Sequence, residues 1–335
     1  MIFKMRNEND EIQKSLERCY ELTRRSQSSF FPSFGFLAAE KRQAMMVIYA
    51  FNRFTDDLID SAPESTPTAE KHALLDDWQA ALHQAMEASP SLSELLSAFP
   101  RLSGVEYLPA LRFIADRFGI PKPIFSEVIR GVRADIAPVR FSEYEDADDY
   151  CHQVATSVGI ASLAIWGTKE PLASPQVAQA AKACGLAVQW TNIVRDLKED
   201  LRERNRCYFP QSELRLAGIT EEQLIDLIEY ETGDKLTRKN VAEEDFAKYD
   251  RFIERQLDRI EANFLMAADL YPKVNQDARR SFGMIWDTYY RLYQKIRRHP
   301  RKILSQRIRL GTFEKLRLFC RWKIFLPKKL PIGDK

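Results

Sequence analysis

Glycine is scarce, at 12 residues in a chain of 335. No apolar stretch reaches the roughly 18–20 residues that a membrane-crossing helix needs. The opening "MIFKMRNENDEIQK" is too polar for a secretion signal. The five cysteines show no CxxC or Cys/His spacing, which excludes a zinc site and a disulfide framework. They fit reduced thiols in a cytoplasmic protein. Alternating strand patterns, internal repeats, low-complexity segments and a GxGxxG loop are all missing.

What is present is a helical pattern. Apolar residues make up 45% and charged residues 29% of the chain, the balance of a globular, helix-rich protein. Apolar positions recur at helical spacing, and Pro- and Ser-rich breaks such as "SAPESTPTAE" and "TKEPLASP" punctuate them. The pattern predicts helices over about 8–25, 38–60, 69–88, 91–99, 106–118, 122–134, 146–166, 174–201, 211–215, 220–230, 242–270 and 275–297. The last stops at His299-Pro300. Because the breaks are short, an all-α domain with one shared core is expected. The expected divisions are an N-terminal helical segment at 1–25, a catalytic domain at 26–317 and a basic, apolar tail at 318–335.

Charge is unevenly placed. From Arg291 to Lys335 there are 15 Lys and Arg against Glu314 and Asp334. That segment carries +13, which leaves −11 for the rest of a chain whose total is +2. One reading is a solvated basic helix pair with a frayed end. The other is contact with anionic lipid, since "LRLFCRWKIFLPKK" interleaves apolar and cationic residues. No nucleic-acid motif accompanies the charge, so no nucleic-acid partner is expected.

Two stretches carry chemistry. In "YAFNRFTDDLID" (49–60), a helix turning about 100° per residue places Tyr49, Arg53, Asp56 and Asp60 within an arc of about 60°. Apolar residues from Ala44 to Ile59 occupy most other positions, so the strip is expected to face an enclosed space rather than bulk water. In "QWTNIVRDLKED" (189–200), Gln189, Asn192, Asp196 and Asp200 form one strip, and Leu186, Trp190, Ile193 and Leu197 form a second, packing stripe. Acidic pairs four apart on a helix are usually a solvated face. Here each pair sits in an unusually apolar helix, where uncompensated carboxylates repel and lose hydration. A hard divalent cation answers both problems, because Mg²⁺ prefers carboxylate oxygens and retains waters that phosphate oxygens replace. Arg53, Arg195, Arg202, Arg204 and Arg206 supply guanidinium groups suited to phosphate. The implied ligand is a diphosphate.

These stretches, over about 20–320, resemble the squalene/phytoene synthase family, which joins two prenyl diphosphates head to head. "YAFNRFTDDLID" resembles its first aspartate-rich motif, and "QWTNIVRDLKED" followed by "RCYFP" its second, the more specific of the two. "SQSSFF" (26–31), "YCHQVATSVG" (150–159) and "YYRLYQKI" (289–296) match further segments. The resemblance implies a helical isoprenoid synthase bundle with a central cavity. It implies that Asp56, Asp60, Asp196 and Asp200 hold Mg²⁺, with Mn²⁺ as a substitute. Arg53, Arg195, Gln189, Asn192, Ser29 and Phe30 are then expected at the diphosphate. Tyr49 and Tyr150 are expected near the reacting carbons, with Tyr49, Phe51 and Tyr150 as candidate aromatic faces for a carbocation. Departures are His152 where a second Tyr is common, Trp190 in place of Leu, and a loop to Tyr208 one residue longer with Asn205 where Gly is frequent.

By resemblance, the product is a cyclopropylcarbinyl diphosphate that is reduced by NADPH to squalene, loses a proton to give phytoene or dehydrosqualene, or is released as presqualene diphosphate. Farnesyl and geranylgeranyl diphosphate both remain candidate substrates, and NADPH use stays open. Greasy substrates suit a protein that is cytoplasmic and peripheral on the membrane's inner face. Two alternatives stand beside this reading. One is another class I terpenoid synthase, since "DDLID" also fits DDxxD, although "NIVRDLKED" argues against it. The other is a non-catalytic relative acting as an assembly factor, which would be expected to lose motif aspartates.

Overall fold

The computed structural model describes residues 2–26, 30–63, 65–88, 90–233 and 241–332, with side chains from residue 10 onward. In chain order its α-helices are α1 (Ile2–Arg25), α2 (Phe31–Phe34), α3 (Ala39–Asp60), α4 (Thr68–Glu87), α5 (Leu92–Ala98), α6 (Leu108–Phe118), α7 (Pro123–Ala134), α8 (Tyr144–Cys151), α9 (Ser157–Trp166), α10 (Pro175–Glu203), α11 (Gln211–Ala217), α12 (Glu221–Thr232), α13 (Glu243–Ala267), α14 (Arg279–Arg298) and α15 (Thr312–Ile324). Among the described residues there is no strand, only the isolated bridges Arg140–Cys207 and Thr168–Val274. The expectation of an all-α protein is met. Most helix ends fall within a few residues of the predicted positions. The predicted helix at 146–166 is α8 and α9, joined by a π-turn over His152–Thr156.

The chain's contacts divide it into two discontinuous units. The first comprises Met1–Ile136, Ser157–Ser174 and Lys273–Phe282. Here α3 packs against α1, α6, α7 and α9, with Ala44–Ile48, Ala50, Phe51, Thr55 and Ile59 buried. An aromatic cluster fixes its rotation. Phe51 stacks on Trp78 at 5.7 Å and meets Phe125 edge-on at 5.3 Å. The Trp78 indole N–H donates to Thr55 Oγ1 at 2.9 Å, so a fully buried donor is satisfied. Gly104 makes room for the Phe54 ring, since a Cβ there would lie 2.1 Å from it.

The second unit comprises Ala137–Thr156, Pro175–Pro272 and Gly283–Lys335. Its axis is α10, which packs on α13, on the π-turn and on α12. The predicted packing stripe holds, because Leu186, Trp190, Ile193 and Leu197 are all buried. Trp190 stands where the family resemblance implied Leu, and its indole N–H finds a carboxylate, Asp148 Oδ1, at 2.9 Å. Gly185 admits the π-turn. A Cβ there would meet Thr156 Oγ1 at 2.3 Å and Thr156 Cα at 2.7 Å. All five cysteines are free thiols, and only Cys320 is exposed.

Candidate functional site

The first strip lies on α3 in the first unit. Arg53, Asp56 and Asp60 are exposed and Tyr49 is half-buried. Within the first unit these side chains remain accessible to water. The apolar collar packs against α1, α6, α7 and α9, and the strip is the face of α3 that these helices leave uncovered. Water reaches Asp56, yet protein atoms crowd it. Lost hydration, with repulsion from Asp60 and Asp135, pushes its carboxyl up to about 7. Asp135, which caps the end of α7, is an acid that the motif alone does not reveal. Arg53 pairs with Asp57 at 2.6 Å, and its charge also acts on Asp56. Phe51 is fully buried between Trp78 and Phe125, which makes it a core residue and removes it as a carbocation face. Phe30 is half-buried ahead of α2, where its carbonyl accepts from Ser33 Oγ at 2.6 Å. Ser29 lies outside the described residues.

The second strip lies on α10 in the second unit. Gln189, Asn192 and Asp196 are half-buried and Asp200 is buried, at 7% exposure. Burial and the charge of Asp196 push the Asp200 carboxyl up to about 7, against the pull of Arg204 and Arg206. Asp196 is held from two sides. The Arg195 guanidinium donates to both of its oxygens, at 2.7 and 2.5 Å. Arg307 approaches the same carboxylate at 2.8 Å and reaches Glu199 at 3.0 Å. Asn192 donates 3.5 Å to Gln189 and hydrogen-bonds the buried hydroxyl of Tyr289, from α14. Its Oδ1 is buried without a partner. Tyr150 is buried and stacks on Tyr208 with ring centres 5.1 Å apart.

The loop after α10 is pinned from outside. Asn205 has φ 51°, the left-handed region that Asn tolerates better than most residues, which accounts for an Asn where Gly is frequent. Arg140 donates to its carbonyl and to its side-chain oxygen, both at 2.9 Å, and also pairs with Glu221. The Arg206 amide returns to the Asp200 carbonyl at 2.8 Å. Arg307, Tyr289 and Asp135 are the functional candidates that sequence reasoning did not single out. Tyr289 lay within "YYRLYQKI", but Arg307 is one of fifteen cations in the basic segment and carries no local signal.

The donor chemistry fits a hard cation. Each strip offers carboxylate oxygens, with one carboxyl in each pushed up to about 7 by lost hydration and, after that, by a like-charged neighbour. Among the described residues no three His, Cys, Asp or Glu side chains form a ready-made metal cage. Beside phosphate, Mg²⁺ is generally held through one or two carboxylates, with water and substrate in the remaining positions.

The chain belongs to the squalene/phytoene synthase family, whose model matches residues 23–314. It is 28% identical to the 15-cis-phytoene synthase of Synechococcus elongatus over 319 residues, covering 91% of each chain. It is 33% identical to phytoene synthase 1 of Zea mays over 217 residues, 64% of this chain and 48% of the maize protein. The chain thus spans about half the length of the plant relatives it matches. Among solved structures, a dehydrosqualene synthase superposes with a TM-score of 0.74 at 22% identity, covering 95% of this chain and 98% of that one. The squalene synthase HpnC of Alicyclobacillus acidocaldarius gives 0.67 at 23% identity, covering 88% and 96%. The fold is therefore that of the helical isoprenoid synthases.

Proposed function

We propose that the protein is a prenyltransferase that joins two prenyl diphosphates head to head. The observation that carries this reading is the α10 strip, in which Asp200 is buried beside Asp196 while Arg195 and Arg307 face the same carboxylate. Opposed acids and guanidiniums in one place suit a ligand that is itself a metal-bound polyanion. On this reading Asp56, Asp60, Asp196 and Asp200 hold Mg²⁺, or Mn²⁺ in its place. When bound, the ions draw charge from the departing diphosphate. Arg195 and Arg307 turn from Asp196 to the diphosphate oxygens, and Arg53 leaves Asp57 to do the same. Gln189 and Asn192 would orient that group, and the unpartnered Asn192 Oδ1 would be available to accept from a donor that arrives with it. Ser29 and Phe30 are assigned to the same end of the substrate. Tyr49 and Tyr150 present ring faces to the allylic cation.

The first joining forms a cyclopropylcarbinyl diphosphate and releases one diphosphate and one proton. Rearrangement with loss of the second diphosphate and a further proton gives a phytoene-type hydrocarbon without a reductant. The relatives' names support this end, and with it geranylgeranyl diphosphate. A squalene-type end would instead consume one hydride from NADPH. Substrate and product are both lipids, so we place the working protein at a membrane surface.

The test is incubation of purified protein with Mg²⁺ and farnesyl or geranylgeranyl diphosphate, with and without NADPH, and mass spectrometry of the lipid. A C40 product that does not depend on NADPH is expected. Asp56→Asn and Asp196→Asn should each abolish turnover while preserving helix content by circular dichroism. Full turnover in both variants would remove the metal roles assigned here.

A further inference from the structure

Of the most exposed large apolar side chains in the described residues, five of eleven lie between 313 and 332. Three of them, Phe313, Leu316 and Ile324, sit on α15 and are 76%, 57% and 67% exposed; Phe325 follows the helix at 65%. At about 100° per residue, Phe313, Leu316, Cys320 and Ile324 fall in an arc of about 80°. Leu318 and Trp322 point the opposite way and are buried. This helix is apolar on two faces.

The inward face is built as an anchor. Trp322 packs its ring where a Cβ on Gly283 would lie 2.2 Å away, and its indole N–H donates to Asp287 at 3.0 Å. Beyond the helix, Tyr271 donates its hydroxyl to the Pro327 carbonyl at 2.8 Å. The outward stripe is thus held in place and presented to solvent.

Charge selects what the stripe meets. Lys315, Arg317, Lys323, Lys328 and Lys329 are exposed beside it. The one acid between 312 and 332 is Glu314, which is tied to Lys295 at 2.8 Å. A second copy of this face would set like charges against each other. Among the described residues no helix is long and apolar enough to cross a bilayer. We propose that α15 docks the protein on an anionic lipid surface, with Phe313, Leu316, Ile324 and Phe325 entering the interface and the flanking lysines meeting headgroups.

The whole chain is tested by co-sedimentation with vesicles of phosphatidylglycerol and phosphatidylcholine, and of phosphatidylcholine alone. The expected result is at least tenfold stronger partitioning onto the anionic vesicles, weakened at least tenfold by Leu316→Glu with Ile324→Glu. Lys323→Gln, Lys328→Gln and Lys329→Gln together should weaken it and flatten its salt dependence. Because Cys320 is the one exposed cysteine, an environment-sensitive dye there reads the face in the otherwise unaltered protein. Its emission should shift to the blue on anionic vesicles only, a readout that stands even where a Glu variant misfolds. Equal partitioning onto both vesicle types, unchanged partitioning of a folded Glu variant, or an unshifted dye would overturn the proposal. So would a solution dimer that Leu316→Glu dissolves, which would assign the stripe to a second copy.

Discussion

Arg307 lies 2.8 Å from the Asp196 carboxylate, although the two residues are 111 positions apart. The contact ties the coil after α14 to the acid strip of α10. The pair is partly open to solvent, so its share of stability is small, on the order of 0–1 kcal/mol. A role on the diphosphate is a different matter, because guanidinium forks match phosphate oxygens. Arg307→Ala is expected to leave the melting temperature nearly unchanged and to raise the KM for prenyl diphosphate about tenfold. Arg307→Lys should recover part of that loss. An unchanged KM in the alanine variant would end the assignment.

Asp200 has a pH signature. Its carboxyl is raised from an ordinary 3.8 to about 7 by burial and by Asp196. A raised carboxyl favours folding while protonated, so its contribution is complete below about pH 4 and is lost as pH climbs through about 7. Asp200→Asn carries no such loss. In the absence of divalent cations the variant should match the wild type at pH 4 and exceed its stability at pH 8 by on the order of 2–4 kcal/mol. Urea unfolding at the two pH values reads this directly. Parallel pH profiles for the two proteins would refute it.

Gly185 is where α10 lets the π-turn approach. A methyl group there would stand 2.3 Å from Thr156 Oγ1 and 2.7 Å from its Cα, and the second of these is backbone that cannot swing aside. Gly185→Ala should therefore destabilise the protein by about 1–3 kcal/mol, although Ala is the better helix former. A thermal melt equal to or above wild type would show that the turn yields freely.

Trp322 and Asp287 form a buried pair, with Arg291 at 2.9 Å as the carboxylate's second partner. Burial holds the Asp287 carboxyl above its usual range despite both contacts. Trp322→Phe keeps most of the ring but removes the N–H. A cost of about 1–3 kcal/mol is expected, with faster amide exchange confined to α15. Exchange in α15 as slow as in the parent would mean that the indole does not anchor the helix.

Local pattern reveals a good deal of this protein. Predicted helices at 38–60 and 122–134 appear as Ala39–Asp60 and Pro123–Ala134. The α10 packing stripe was legible because a helix buries what recurs every three or four residues. What escaped has non-local causes. The π-turn at His152–Thr156 depends on a glycine thirty residues downstream, and a hydropathy pattern contains no trace of that. Phe51 and Asp56 sit on one apolar helix, and only the positions of Trp78 and Phe125 show which of them belongs to the interior. The basic segment reads as uniform charge, yet it holds both an arginine paired with Asp196 and a helix anchored by Trp322. The division into units is marked only in part: one crossing falls at the end of "TKEPLASP", at Ser174, but another lies within α14, where the pattern shows no break.

The like-charged carboxyls on α3 and α10 have an evolutionary side. Natural sequences are rarely tuned for endurance, and many single changes improve it without harming the fold. A screen for heat resistance run on empty protein would reward neutralising Asp200 or Asp56. It would collect hardier variants that have lost the acids to which the metal ions are assigned above. Selection by survival after heating should therefore always be paired with a product assay in this protein.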